Sequence, residues 1–443
     1  MAEHRSSAVV VGGGFAGVAC AKRLAEKDVA VTVIDRNNYH QFQPLLYQVA
    51  TAQVGVQDVA RPLRGLFAGD RLVDVKRANV RSIDPRERSV ETDDGQVFSG
   101  DHLLIAAGAR PNFFDTPGAE EHAFPLYSLE QAERLRSRLL ELFEDADDRP
   151  ELVAQGALSF VIVGAGATGV EIAGALAEAM RDVFPAGYHS IDPKDARVVV
   201  VDHGDAVLSG FRTEAHEYAA RKLGEDGVEL RLGVGVEKVT GSSAVLSDGT
   251  EIPTRAVIWA GGLKAAGVLG GAGLPQGRGG RIDVAVDLSV PGFPGVYAAG
   301  DAANVPGADG SVLPQLGSVA QQSGRWAAGN ILADIAGEQR EAFRYRDKGI
   351  MAMIGRNAAV AEIGARRHEV EGPIAFAAWL GVHAALLSGV REKVDAFVEW
   401  GWDYFSHTRT EAIIDRPDAT AIDWGEDDAE RAEVAPAPRE RDA

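Results

Sequence analysis

The sequence predicts an α/β fold of two Rossmann-like domains followed by a C-terminal amphipathic helical segment. Three observations predict it. A pattern of buried strand, glycine turn and helix start occurs twice; the two halves end alike; and a long apolar stretch runs into a charged helical pattern near the C-terminus. The 443 residues suffice for two or three domains, and 46% hydrophobic with 25% charged residues is an ordinary globular balance.

The first element is AVVVGGGFAG, residues 8–17, and SFVIVGAGATG, residues 159–169, repeats it. A lone GxGxxG is weak evidence, but in each copy a second strand follows and ends in a carboxylate, VTVID at Asp35 and RVVVVD at Asp202. A carboxylate there accepts hydrogen bonds from the ribose hydroxyls of an adenine dinucleotide. Gly12, Gly14 and Gly17, and again Gly164, Gly166 and Gly169, allow the sharp turn, the approach of a pyrophosphate and the packing of helix on strand. Phe15 and Ala16, Arg36 beside Asp35, and Thr168 in the second copy are neighbouring candidate contacts.

The halves close on DDGQVFSGDHLLIAAG and SDGTEIPTRAVIWAGG, each a hairpin turn followed by a buried strand and small residues. Ala107, Gly108 and Gly261 at these ends are candidate cofactor contacts. The first glycines stand 152 positions apart and the ends 154, so an internal duplication is the economical explanation. Gly164 to Asp202 spans 38 positions against 23 from Gly12 to Asp35, which predicts a prolonged helix around RDVFPAGYHSIDPKD. The first half has its own insertion, including HQFQPLLYQVATAQVG, read as a functional loop rich in amide and aromatic groups, with Gln48 a candidate contact.

The segment PGVYAAGDAANV decides which copy holds flavin. In two-domain flavoproteins a strand ending in Gly-Asp, here Gly300-Asp301, returns to the flavin domain and its carboxylate bonds the ribityl chain. FAD is therefore expected in the first copy and NADH in the second, where Asp202 repels the additional phosphate of NADPH. Glu171, two residues past Gly169, falls in the first turn of the nicotinamide-side helix, near the ring stack or as a partner of the helix dipole.

A net charge of −20 argues against nucleic acid as a partner. The single cysteine, Cys20, reads as core, and one cysteine cannot supply the redox pair of a disulfide reductase or a sulfide-oxidising flavoprotein. No metal site is expected. The start, MAEHRSSAVVVGGG, lacks the basic and apolar regions of a signal peptide, so a cytoplasmic location is expected.

Residues 373–390, PIAFAAWLGVHAALLSGV, include His383 and two glycines and lack a clean apolar run of ~20 residues, which argues against a membrane span. Beyond them Val390, Val394, Phe397, Gly401 and Phe405 recur at helical spacing, with Arg391, Glu392, Lys393, Asp395, Glu399 and Asp403 interleaved. Trp379, Trp400, Trp402 and Tyr404 suit a membrane interface; a face packed on the protein or on a second copy is the other reading. Ten basic and ten acidic residues over 344–416 leave attachment mainly hydrophobic.

DRNNYHQFQPLLYQVATA (35–52), GAGATGVEIAG, IDPKDARVVVVD, FPGVYAAGDAANV and AWLGVHAALLSGV with WGWDYF resemble the type II (non-proton-pumping) NADH:quinone oxidoreductases, with similarity from about Val9 to Arg416. The resemblance implies a pyridine nucleotide-disulfide reductase-like fold. It also implies an enzyme on the inner face of the cell membrane that passes two electrons from NADH through FAD to a membrane quinone, ubiquinone or menaquinone. Glu171 then corresponds to the family's glutamate near nicotinamide and flavin, and Gln322 to the second glutamine of its AQxxxQ signature. Aligned from Pro314, Ser318 stands where the first glutamine is expected, bringing a donor of different reach toward flavin or quinone. Residues 53–55 are Gln-Val-Gly where the family often has Leu-Ser-Pro.

The expected domains are 1–120 and 276–345 for FAD, 150–275 for NADH, 346–416 for membrane docking and quinone access, and 417–443 as a disordered acidic tail. A soluble NADH diaphorase or oxidase using oxygen, and an NADH-binding redox sensor, are the rival readings. A homodimer stays open.

Overall fold

In a computed structural model, residues 5–192, 195–364, 366–387, 390–406, 409, 411–415, 422 and 424 are described. The acidic tail expected at 417–443 lies outside them except at Ile422 and Trp424, as do the side chains of Val390, Arg391, Glu392, Asp403, Tyr404 and Phe405 on the last helix.

Two five-stranded parallel sheets form the framework. The first runs Val296–Ala298, His102–Ile105, Ser7–Val11, Ala30–Asp35, Val73–Arg77; the second runs Ala123–Pro125, Ala256–Trp259, Ser159–Val163, Arg197–Asp202, Glu229–Leu232. The central strands are unbroken apolar runs because elements cover both faces of a parallel sheet. Ala8–Val11 and Val198–Val201 are buried throughout. Cys20 is fully buried in the first core, as expected.

The duplication holds to the level of single contacts. Gly12 and Gly164 adopt φ of +101° and +103°, conformations that glycine enters without steric cost. A Cβ on Gly17 or on Gly169 would lie 1.8 Å from the carbonyl of Gly12 or Gly164, so both helices pack on their strands at a distance that only glycine allows. Each half also carries a three-stranded antiparallel excursion, Val80–Asp84, Ser89–Thr92, Val97–Ser99 and Val236–Val239, Ser243–Leu246, Glu251–Pro253, turning at the Asp-Gly pairs.

Each sheet takes its edge strand from outside its own repeat. Val296–Ala298 returns from beyond the second repeat, and Ala123–Pro125 precedes it. The stretch 121–149, unassigned by the sequence, therefore holds an edge strand and the 20-residue helix Leu129–Asp148, capped by Ser128 and Gln131. An antiparallel ribbon, Ala109–Pro111 with Leu263–Ala265, ties the two halves.

The helix after the second turn, Ala167–Glu178, is prolonged through a widened turn at Ala179–Val183, as the insertion predicts. The other insertion is not the loop expected. Strand Tyr39–Gln41 leads into helical turns Gln43–Leu45 and Leu46–Ala50, and Leu45 to Ala50 are buried because five of the six carry apolar or aromatic bodies that seek the core.

After helix Gly317–Ala336, an antiparallel sheet of Gly349–Gly355, Ala358–Ile363 and His368–Glu371 packs on helix Ala167–Glu178. A Cβ on Gly174 would meet the Ile354 carbonyl at 1.6 Å. Helices Gly372–Leu386 and Val390–Ser406 follow, and no described helix is long and apolar enough to cross a membrane.

Two of the tryptophans assigned to an interface point inward instead. Trp379 is fully buried and stacks on His383 at 3.9 Å, and Trp400 is buried against Gln48, since both indoles find partners inside. Trp402 is exposed. Ile422 and Trp424 are buried too, with the Trp424 indole donating to Asp145 at 2.7 Å, so these two positions are packed where a solvated tail was expected.

Candidate functional site: two cavities that meet at Tyr47 and Glu171

The first glycine turn opens onto two adjoining cavities. One, of about 660 Å³, is lined by Gly12, Gly14, Asp35, Arg36, Ala107 and Gly108. The other, of about 370 Å³, is lined by Gly14, Phe15, Ala16, Gly108, Gly300 and Asp301, and on its far side by Thr168 and Glu171 of the second repeat. Gly14 belongs to both walls, and nothing lies within 4 Å of where its Cβ would stand. That bare wall at a helix N-terminus is the cradle a pyrophosphate needs.

The strand-end carboxylates perform the same local task in each copy. Asp35 accepts the Gly13 N–H at 2.6 Å and the Asn37 N–H at 2.7 Å; Asp202 accepts Ala165 N–H at 2.6 Å and Gly204 N–H at 2.7 Å. Both are therefore held in one orientation before any ligand arrives. Burial raises the Asp35 carboxyl, with the two N–H groups and Arg36 opposing.

Asp301 follows Gly300, whose φ is +66°. Burial raises its carboxyl, and the Tyr127 hydroxyl, at 3.1 Å from Oδ2, opposes the rise together with Arg281. The Tyr127 hydroxyl in turn accepts the Ala109 N–H at 3.1 Å. Sequence reasoning missed Tyr127: it lies in FPLYSLE, between the repeats, and belongs to no motif. Gly261 packs beside the Trp259 indole, which also lines the 370 Å³ cavity.

A third cavity, of about 360 Å³, shares Tyr47 and Glu171 with the second. Its walls include Gln48, Phe376, Leu380, Phe397 and Trp400, so it is largely apolar and reaches the last two helices. Gln48, expected as a cofactor contact, lines this cavity, with its carboxamide donating to Tyr47 and accepting the Trp400 indole N–H at 2.8 Å. Arg356 grips Glu178 through Nε at 3.0 Å and Nη2 at 2.8 Å at the cavity wall.

Glu171 stands between the two cavities. Burial lifts its carboxyl to about 8, opposed by the Met353 N–H at 3.3 Å and by the neighbouring Trp379 indole, whose N–H makes no full hydrogen bond. It is therefore predominantly the neutral acid at pH 7. Tyr47 is likewise held well above its ordinary value by burial and by the nearby Glu171.

Ser318 and Gln322 lie on helix Gly317–Ala336 but turn to the segment that follows it. Ser318 bonds the Tyr345 hydroxyl at 2.9 Å, and Gln322 clasps the Arg346 backbone through both ends of its carboxamide. Among the described residues it is Gln315, Leu316, Gly317 and Ala320 of this region that line the 370 Å³ cavity. No cluster of His, Cys, Asp and Glu among the described residues suits a metal ion.

Comparisons with known proteins agree with this architecture. Residues 6–324 match the pyridine nucleotide-disulphide oxidoreductase family. The chain is 36% identical over 429 residues to the type II NADH:quinone oxidoreductase Ndh of Mycobacterium tuberculosis, spanning 93% of this chain and 90% of that protein. It is 34% identical to NdhA of the same organism, over 93% and 89%. Among solved structures it is similar to NDH2 from Plasmodium falciparum in complex with NADH, with a TM-score of 0.83 at 17% identity over 91% of this chain and 99% of that one, a likeness of fold. With a duplicated dinucleotide framework and a relative this close over nearly its whole length, the chain belongs to the pyridine nucleotide-disulphide oxidoreductase family and, within it, to the type II NADH:quinone oxidoreductases.

Proposed function

We propose that the chain is a peripheral membrane NADH dehydrogenase that passes two electrons from NADH through FAD to a membrane quinone without pumping protons. The observation that carries this reading is the meeting of a dinucleotide-type cavity and an apolar cavity at Tyr47 and Glu171. A nicotinamide substrate and a lipid-soluble acceptor need different surroundings, and the two cavities supply them on either side of one narrow wall.

Gly12, Gly14, Gly17, Asp35 and Asp301 would hold FAD, whose ring system supplies a two-electron carrier when bound. Gly164, Gly166, Gly169, Thr168 and Asp202 would hold NADH, with the Asp202 carboxylate disfavouring a phosphate on the ribose. Phe15 and Ala16 close one wall of the ring cavity, while the Tyr47 ring separates it from the apolar cavity. Reduction of a quinone by two electrons consumes two protons, and Glu171 holds one at its carboxyl on the shared wall. Ser318 and Gln322 act at one remove, fixing the Tyr345 to Arg346 segment against the helix that lines the ring cavity.

The docking face is formed by Ile374, Val394, Phe397, Val398 and Trp402, all more than half exposed. Phe397 also lines the apolar cavity, so the mouth of that cavity opens where the chain would meet the inner leaflet. Purified protein is expected to oxidise NADH with a short-chain quinone much faster than with oxygen; equal rates would overturn the quinone assignment. Co-sedimentation with liposomes should fall when Val394, Phe397 and Trp402 are replaced together by serine.

A further inference from the structure

The duplicated glycine turn is completed by different chemical groups in its two copies. In each, the residue after the first glycine donates its N–H to the strand-end carboxylate, Gly13 to Asp35 and Ala165 to Asp202, both at 2.6 Å. The carbonyl of that same residue needs a donor as well, because a buried peptide oxygen left unpaired is destabilising. In the second copy the backbone supplies it, with Leu208 N–H donating to the Ala165 carbonyl at 2.7 Å. In the first copy a side chain takes that place: His40 Nδ1 lies 2.9 Å from the Gly13 carbonyl.

A carbonyl oxygen only accepts, so the Nδ1 of His40 carries the hydrogen. The ring is 5% exposed and meets Phe15 edge to face at 5.1 Å, where Phe15 is the first residue of the helix behind the turn. Burial depresses the ring's basicity, which keeps it in the neutral form. Pairing of Tyr39–Gln41 with Ala60–Pro62 fixes the backbone from which the ring projects. The loop after Asp35 enters that strand pair, whereas the loop after Asp202 passes back over the turn and brings Leu208 to it.

We infer that His40 is a positioning residue for the flavin dinucleotide, setting the peptide plane between Gly13 and Gly14. In a trans peptide the C=O and the following N–H point in opposite directions. Holding the Gly13 carbonyl toward His40 therefore directs the Gly14 N–H the other way, and Gly14 lines both cavities of the first repeat. His40 touches none of the reacting atoms; it acts through the turn. The inference rests on the reading of the first repeat as the FAD site. It also gives an internal control, because the second turn has no such side chain.

Holoenzyme of the parent and of His40→Ala, His40→Asn and His40→Gln would be diluted and the released FAD followed by its recovered fluorescence, with circular dichroism to verify folding. His40→Ala is expected to raise the FAD dissociation constant roughly tenfold, the effect of losing one buried hydrogen bond. Asn places its amide nitrogen on Cγ, as Nδ1 is in His, and should restore most of the affinity. Gln carries its nitrogen one atom further out and should not. The KM for NADH should stay unchanged in all three.

Parental affinity in His40→Ala, or rescue by Gln as complete as by Asn, would overturn the assignment. If His40→Ala does not fold, the contrast between Asn and Gln still decides. A parent that itself holds no FAD would sink the flavin reading and His40 with it, whereas a flavin-binding parent matched by its variants would sink His40 alone.

Discussion

The Tyr127 hydroxyl stands 3.1 Å from the Asp301 carboxylate and 3.1 Å from the Ala109 N–H, joining the passage between the two repeats to the return strand of the first. The hydroxyl donates a hydrogen bond to a carboxylate that burial would otherwise leave poorly stabilised. Tyr127→Phe should therefore keep the packing of the ring but weaken flavin retention, by about 1–3 kcal/mol for a hydrogen bond to a buried carboxylate. Flavin content after gel filtration, with a thermal melt to confirm the fold, checks it.

Glu171 is expected to impose a pH dependence. Its carboxyl is raised from 4.5 to about 8, so the folded protein holds a proton that the unfolded chain has released across that interval. The contribution to stability is full below the unfolded value and is lost as pH rises toward 8, at about 1.4 kcal/mol per pH unit at most. Glu171→Gln, which mimics the neutral acid, should flatten that decline in melts from pH 5 to 9. In stopped flow it should also remove any step centred near pH 8 from the two half-reactions; an identical pH profile in the variant would leave the Glu171 carboxyl without a part in either.

Asp202 accepts two backbone N–H groups, and in the proposed NADH site its charge would oppose a ribose phosphate. Asp202→Asn keeps the shape and one acceptor while removing the charge. The ratio of kcat/KM for NADPH to that for NADH should rise roughly tenfold, the scale of one lost charge repulsion near a phosphate. Steady-state kinetics with both nucleotides measures it.

Trp400 joins the last helix to the amide-rich insertion through its 2.8 Å bond to Gln48. In Trp400→Phe the apolar contact persists and the hydrogen bond does not, so the wall of the apolar cavity loosens. The KM for a short-chain quinone should rise about fivefold, given ~1 kcal/mol for the bond. Reduction of the flavin by NADH should be unaffected, which separates this outcome from general unfolding.

Gly174 lets the C-terminal sheet approach helix Ala167–Glu178 more closely than any Cβ allows. Gly174→Ala must push the Ile354 carbonyl away, and overpacking of this kind costs about 1–3 kcal/mol or more. A lowered melting temperature with looser C-terminal packing, seen as faster amide exchange over 349–363, is the expected result.

The sequence by itself determined the duplicated framework. Glycines at 12, 14 and 17 and at 164, 166 and 169, with carboxylates closing the next strands, act over a few neighbouring residues, and short-range constraints of that kind are visible in a linear pattern. Their twin geometry, down to 2.6 Å bonds from Gly13 and Ala165, follows from that local chemistry. The family resemblance was legible for the same reason, in stretches such as DRNNYHQFQPLLYQVATA.

Only the tertiary structure decided what meets across the chain. Tyr127 and Asp301 are 174 positions apart, Gln48 and Trp400 are 352 apart, and nothing in local spacing brings either pair together. Periodicity identified the last helix as amphipathic but left its orientation open. Burial of Trp379, stacked on His383, and of Trp400, bonded to Gln48, with Trp402 outward, settles which face turns to solvent, because a large apolar ring is hidden wherever the packing permits. The same long-range packing turned an expected loop at residues 40–55 into buried helical turns and put Tyr47 and Glu171 on the one wall shared by both cavities.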